Sequence, residues 1–122
     1  MSDLGLYAGL SEALRRWADL IDDVLSGLKQ GAVLPGRRSF EELKQLIADI
    51  ARNDYAAVDF SDQRVANILA LELGKQLDWG ELAEQLNNPE RCAQATRVLE
   101  FIAQRLAAEH ASVVARMRWG RP

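Results

Sequence analysis

An arginine and a histidine near the end of the chain are the residues best suited to chemistry on a phosphate. Arg105 and His110 bound the stretch Arg-Leu-Ala-Ala-Glu-His. A guanidinium held in place binds phosphate, and an imidazole transfers protons near neutral pH. On an ideal helix the two side chains point about 140° apart, so convergence on one phosphate requires local distortion or a second chain.

This spacing resembles the catalytic motif of HEPN ribonucleases, which are small all-helical bacterial domains that often dimerise. The resemblance covers only Arg105 to His110, and the family commonly has a polar residue directly after the arginine, where this chain has Leu106. It implies a metal-independent ribonuclease in which Arg105 stabilises the phosphate and His110 belongs to the cleavage machinery. We treat this as the alternative to a non-enzymatic function.

A second motif lies in residues 79–98. The stretch Gly80-Glu-Leu-Ala-Glu-Gln-Leu86 is followed by Asn88, Pro89 and another helical pattern. It is similar to the helix-turn-helix of alkyltransferase-like DNA-binding proteins, in which the second helix enters the major groove. DNA binding is therefore the third functional hypothesis.

The resemblance implies that Arg91, Gln94 and Arg97 would contact DNA. The Pro-Cys-His-Arg motif that carries alkyl transfer in the related enzymes is missing, so Cys92 is not expected to act as a nucleophile. A net charge of −3 also makes nucleic acid a possible but unfavoured partner.

The composition argues against metal, disulfide and membrane chemistry. With Cys92 as the only cysteine and His110 as the only histidine, a single chain can form neither an internal disulfide nor a zinc site of the usual kind. No apolar run approaches the roughly 20 residues of a membrane-spanning helix. We expect a cytoplasmic bacterial protein without metal or cofactor.

Two long helices should frame the molecule. Apolar residues three or four apart predict a first helix that begins near Asp3 or Ser11 and ends about Gln30, with Gly31 as its cap. The same spacing predicts a last helix from Pro89 to Trp119, interrupted on its apolar face by His110. The predicted inward residues are Leu10, Leu14, Trp17, Ile21, Val24 and Leu28 of the first helix, and Cys92, Ala95, Leu99, Ile102, Leu106, Val113 and Met117 of the last.

Three shorter helices should lie between them. Ser39 and Glu42 have the spacing of a capping box, and Asp78 and Glu81 repeat it. Ser61 or Asp62 is expected to cap a helix that runs through Leu77. The sequence therefore predicts an all-α fold, with residues 1–122 forming a single-domain helical bundle of about five helices.

A protein–protein interaction module is the leading functional prediction: a non-enzymatic small subunit, adaptor or inhibitor. Trp17, Trp79 and Trp119 are more tryptophans than a small core readily conceals, and tryptophan often anchors interfaces. Arg116 and Arg118 form a basic end that could contact an acidic partner or RNA. The length of the terminal helices also favours self-association, so we expect a protein partner, a homo-oligomer or both.

Overall fold

Five α-helices and one short 3₁₀ segment account for most of the chain. The computed structural model describes residues 2–54, 59–74 and 76–119, without the side chains of residues 2–6 and 119. The α-helices are α1 (Ser2–Gln30), α2 (Arg38–Arg52), α3 (Phe60–Leu73), α4 (Trp79–Asn87) and α5 (Thr96–Trp119), and the 3₁₀ segment is Cys92–Ala95. The predicted all-α bundle with long terminal helices is confirmed.

The two long helices, α1 and α5, lie side by side and run in opposite directions. Ser11, early in α1, bonds to His110, late in α5, whereas Lys29 at the end of α1 lies 3.1 Å from Glu100 near the start of α5. The facing surfaces of α1 and α5 are buried as their spacing predicted: Leu10, Leu14, Trp17, Ile21, Val24, Leu99, Ile102, Leu106 and Val113.

Of the helices in the described ranges, none is long and apolar enough to cross a bilayer.

The shorter helices pack against α1 either directly or through α2. Besides α5, α1 packs against α2 and α3, and α4 packs against α2. Apolar residues from every helix join one continuous core. The connector after α1 begins at Gly31, whose φ of 68° is the left-handed conformation expected at a helix end.

The predicted capping box at Ser39 is wrong. Arg37 occupies the cap position of α2 and offers no side-chain cap. The Ser39 hydroxyl donates instead to the Asp23 carboxylate of α1, and Glu42 lies 2.9 Å from Arg16 Nη1. Both side chains therefore bond to residues of α1 instead of capping α2.

The predicted limits of α3 also need correction. Asp59 is its cap residue, and α3 ends at Leu73 rather than Leu77. Asp62 turns inward and is buried. Half of the second capping box is confirmed, because the Asp78 carboxylate accepts from the Glu81 N–H at 3.0 Å, whereas the Glu81 carboxylate pairs with Arg91.

The last helix starts at Thr96 and not at Pro89. The Asn88 carbonyl accepts from Arg91 N–H at 2.8 Å, and the Asn88 side chain accepts from Glu90 N–H at 3.0 Å. These bonds close a turn around Pro89, and the 3₁₀ segment follows it. The apolar spacing nevertheless placed Cys92 correctly, since its side chain is buried.

Candidate functional site

Arg105 is held between two carboxylates. Its Nη2 lies 3.2 Å from Glu72 Oε2 of α3 and 2.5 Å from Glu109 Oε1, one turn later in α5. These carboxylates compensate the guanidinium charge and compete with any phosphate for the same N–H groups. In this arrangement Arg105 links α3 to α5.

His110 faces the other long helix. Its Nε2 lies 3.1 Å from the Ser11 hydroxyl of α1, and the tautomer decides which group donates. Sequence reasoning missed Ser11, because two residues 99 positions apart meet only through the register of α1 against α5.

The structure therefore gives Arg105 and His110 different partners. A serine hydroxyl beside an imidazole is also the pairing of a nucleophile with its base. Ser11, however, lies inside α1, where the neighbouring backbone N–H groups are used in the helix itself and cannot stabilise an oxyanion. The Ser11–His110 bond joins two helices and lacks the donors of a hydrolase site.

In the segment that resembles a helix-turn-helix, the second α-helix begins only at Thr96, after a turn and the 3₁₀ segment. Arg91 pairs with Glu81 of α4, and its Nε lies 3.4 Å from Gln94 Oε1. Arg97 is exposed at the start of α5. Two of the three side chains expected to contact DNA are bonded to each other, and a carboxylate compensates the charge of Arg91.

A buried carboxylate joins three helices. Asp62 of α3 accepts from Trp17 Nε1 at 2.8 Å, and the same oxygen pairs with Arg16, whose other nitrogen binds Glu42 of α2. This network places the Trp17 ring in the core, with 1% of its surface exposed. It corrects the expectation that Trp17 is displayed as an interface anchor.

The other two tryptophans differ from Trp17. Trp79, the first residue of α4, is only 9% exposed, and its buried Nε1 has no hydrogen-bond partner. It lines an open surface groove between the end of α2 and the start of α4. A core of this size therefore conceals two of the three rings. The Trp119 side chain lies outside the described residues.

Helix α3 carries apolar side chains on two sides. Its inward face includes Val65, Leu69 and Leu73. Leu71 is 84% exposed and Phe60 is 64% exposed, and their spacing of about three turns places them on one outward side. The Arg64 guanidinium lies 5.9 Å from the centre of the Phe60 ring. We call Phe60, Arg64 and Leu71 the outer α3 surface.

Comparison of the chain with protein-family models, with curated proteins and with solved structures finds no match. The two resemblances in short segments of the sequence gain no support from these comparisons. The function is therefore inferred from the chemistry of the chain's own side chains.

Cys92 is not arranged as a nucleophile. Its thiol donates to the Leu86 carbonyl at 3.5 Å, and burial raises the pKa of the Cys92 thiol. A protonated thiol is a weak nucleophile. Within the described ranges, no three His, Cys, Asp or Glu side chains come together as a group that could hold a metal ion.

The basic end of α5 stays on the surface. Arg116 and Arg118 are both exposed in its last turn. Positive charge there interacts favourably with the carbonyl end of the helix dipole. Both residues stabilise the end of α5 in this way, and their role in binding a partner stays a prediction.

Proposed function

We propose that this protein is a non-enzymatic interaction module that binds another protein through the outer α3 surface. The main support is the position of Leu71 and Phe60, two largely exposed apolar side chains on the side of α3 that faces away from the core. Single exposed apolar residues are common in monomers. A helix that is apolar on opposite sides is usually covered on both.

The environments of the two catalytic candidates also favour a non-enzymatic role. Glu72 and Glu109 both engage Arg105 Nη2, and their two negative charges disfavour a phosphate beside it. His110 is engaged with Ser11 on another helix. The HEPN-like ribonuclease is therefore the second candidate function.

The partner in this proposal is a different protein or a second copy of the chain. A small subunit, an adaptor and an inhibitor all use one apolar surface in this way. A reducing compartment such as the cytoplasm suits the single free thiol of Cys92.

Photo-crosslinking tests the surface directly. A benzophenone amino acid is placed at Leu71 in one variant and at Val33 in another, and both are irradiated in the native host. Val33 is the matched control because it is 83% exposed and lies in the connector between α1 and α2.

We expect a discrete adduct from position 71 that is absent from position 33. Mass spectrometry identifies the captured chain and distinguishes a second copy from another protein. The same adducts from both positions, or none from position 71, would contradict the proposal.

A further inference from the structure

We infer that the groove beside Trp79 is a second binding site, which takes an extended polypeptide segment carrying a basic side chain. The groove has a volume of about 590 Å³ and lies between the end of α2 and the start of α4. Ile50, Leu77 and Trp79 give it apolar walls, and Asp78 supplies a carboxylate. The inference does not depend on the outer α3 surface.

Trp79 lines this groove and carries an unused donor. Its ring is nine-tenths buried, and Nε1 has no acceptor. A buried indole N–H normally finds a partner, as that of Trp17 does in Asp62. A ligand that offers an acceptor would satisfy this group. Because the nitrogen is shielded in the free protein, a small shift of the groove wall must accompany binding.

Asp78 determines the charge that the ligand must carry. Among the described residues that line the groove, Asp78 alone is charged, and its carboxylate caps α4 through the Glu81 N–H. This negative charge occupies the favourable end of the helix dipole and repels anions. The acceptor for Trp79 is therefore a neutral carbonyl, and a neighbouring cation is attracted to Asp78.

An extended peptide provides these groups together. Its main chain carries carbonyls, a lysine or arginine complements Asp78, and an apolar side chain can lie against Ile50 or Leu77. Enclosed cavities suit small ligands, since most of a small ligand's surface must be buried. This groove is open along the surface, and extended peptides are recognised in open grooves of this kind.

Nuclear magnetic resonance tests the assignment through the indole N–H signals. The ¹⁵N-labelled protein is titrated with acetyl-Ala-Lys-Ala-amide, and the Trp79 signal is identified by its loss in Trp79→Phe or by sequential assignment. We expect the Trp79 signal to move downfield and saturate. The Trp17 signal, whose proton is already bonded to Asp62, should stay in place.

Two controls test the role of charge. Acetyl-Ala-Glu-Ala-amide should bind at least about threefold more weakly than the lysine peptide. Asp78→Asn keeps a side chain that can cap α4. This variant should bind the lysine peptide about threefold more weakly than the unchanged protein does. Its affinity for acetyl-Ala-norleucine-Ala-amide, which lacks the positive charge, should stay the same.

A Trp79 signal that does not move up to the solubility limit of the lysine peptide would overturn the inference. Equal binding of the lysine and glutamate peptides would overturn it as well. Either result leaves the outer α3 surface untouched, because crosslinking from position 71 reports on that surface separately.

Discussion

Trp17 and Trp79 are both buried, but only one of the two indole N–H groups has an acceptor. Trp17 donates to Asp62, which also receives Arg16. Trp79 has no such partner. A buried donor without an acceptor costs about 1–3 kcal/mol of stability. The indole N–H therefore stabilises the fold at Trp17 and destabilises it at Trp79.

Replacing each tryptophan with phenylalanine should separate these consequences. Trp17→Phe removes a donor from buried Asp62 and should lower the free energy of unfolding by about 1–3 kcal/mol more than Trp79→Phe, which removes an unsatisfied group. Urea unfolding of both variants measures the difference. Because both changes remove similar volume, each variant serves as the control for the other. Equal losses would mean that the Trp17–Asp62 bond contributes nothing specific.

Arg105 and His110 yield a second prediction at this scale. Purified protein should leave single-stranded RNA intact in the presence of a chelator, because the Arg105 guanidinium is already bound by Glu72 and Glu109. Gel analysis of labelled RNA checks this, with His110→Ala and Arg105→Ala as comparisons. Metal-independent cleavage that both substitutions abolish would establish the ribonuclease and displace the interaction module.

Helix ends show where sequence reasoning succeeds and where it fails. Asp78 caps α4 as its spacing predicted, and its carboxylate accepts a bond from the Glu81 N–H of the same helix. Ser39 has an equally good local pattern, yet Asp23 on α1 takes its hydroxyl. A sequence pattern predicts a local bond, but it contains no information about a competing partner on another helix.

The prediction of Asp62 as a cap is wrong because its side chain bonds to another helix, although the sequence contains a pattern that places it inward. It shares the helical face of Val65, Leu69 and Leu73, and apolar spacing alone would have placed it inward. A carboxylate in that position requires donors from neighbouring helices. Arg16 and Trp17 supply them, and neither could be assigned before α1 and α3 were placed together.

The close contact of α1 with the connector after it yields the prediction at element scale. A Cβ atom on Gly27 would lie 2.6 Å from Cδ2 of buried Leu34 and 3.0 Å from an Arg37 nitrogen. Alanine gains up to about 1 kcal/mol in helix propensity over glycine. Overpacking against Leu34 costs about 1–3 kcal/mol, so Gly27→Ala should be destabilising overall.

Chemical denaturation of Gly27→Ala beside Ser26→Ala tests this contact. Ser26 is the exposed neighbour in α1, and its replacement should change the free energy of unfolding by no more than about 0.5 kcal/mol. A more stable Gly27→Ala variant would show that helix propensity outweighs the contact and that Leu34 can move aside.

At the scale of the whole molecule, the apolar spacing predicted the inward faces of α1 and α5 because each helix presents a regular stripe. Leu99 and Leu106 show this, since both are fully buried. The outward side chains of α3 were not predicted, because they lie among inward residues with similar apolar character. Leu71 and Leu73 are two positions apart, yet one is exposed and the other is buried. Helix periodicity separates the two residues, which point about 200° apart, and the packing of α3 against α1 determines which side is covered.

The final prediction concerns how residues 1–122 unfold. Every helix contributes to one continuous core, so the chain should unfold as a single domain in one transition. Ile102→Ala should lower the free energy of unfolding by about 2–5 kcal/mol, because Ile102 is fully buried between the long helices. Its neighbour Phe101 is 42% exposed, and Phe101→Ala should cost clearly less. Circular dichroism follows all the helices while tryptophan fluorescence follows the buried indoles, and both should give the same midpoint in each variant. Separate midpoints would show that the chain contains more than one folding unit. Similar losses of unfolding free energy in Phe101→Ala and Ile102→Ala would show that the buried face of α5 has been assigned to the wrong side of the helix.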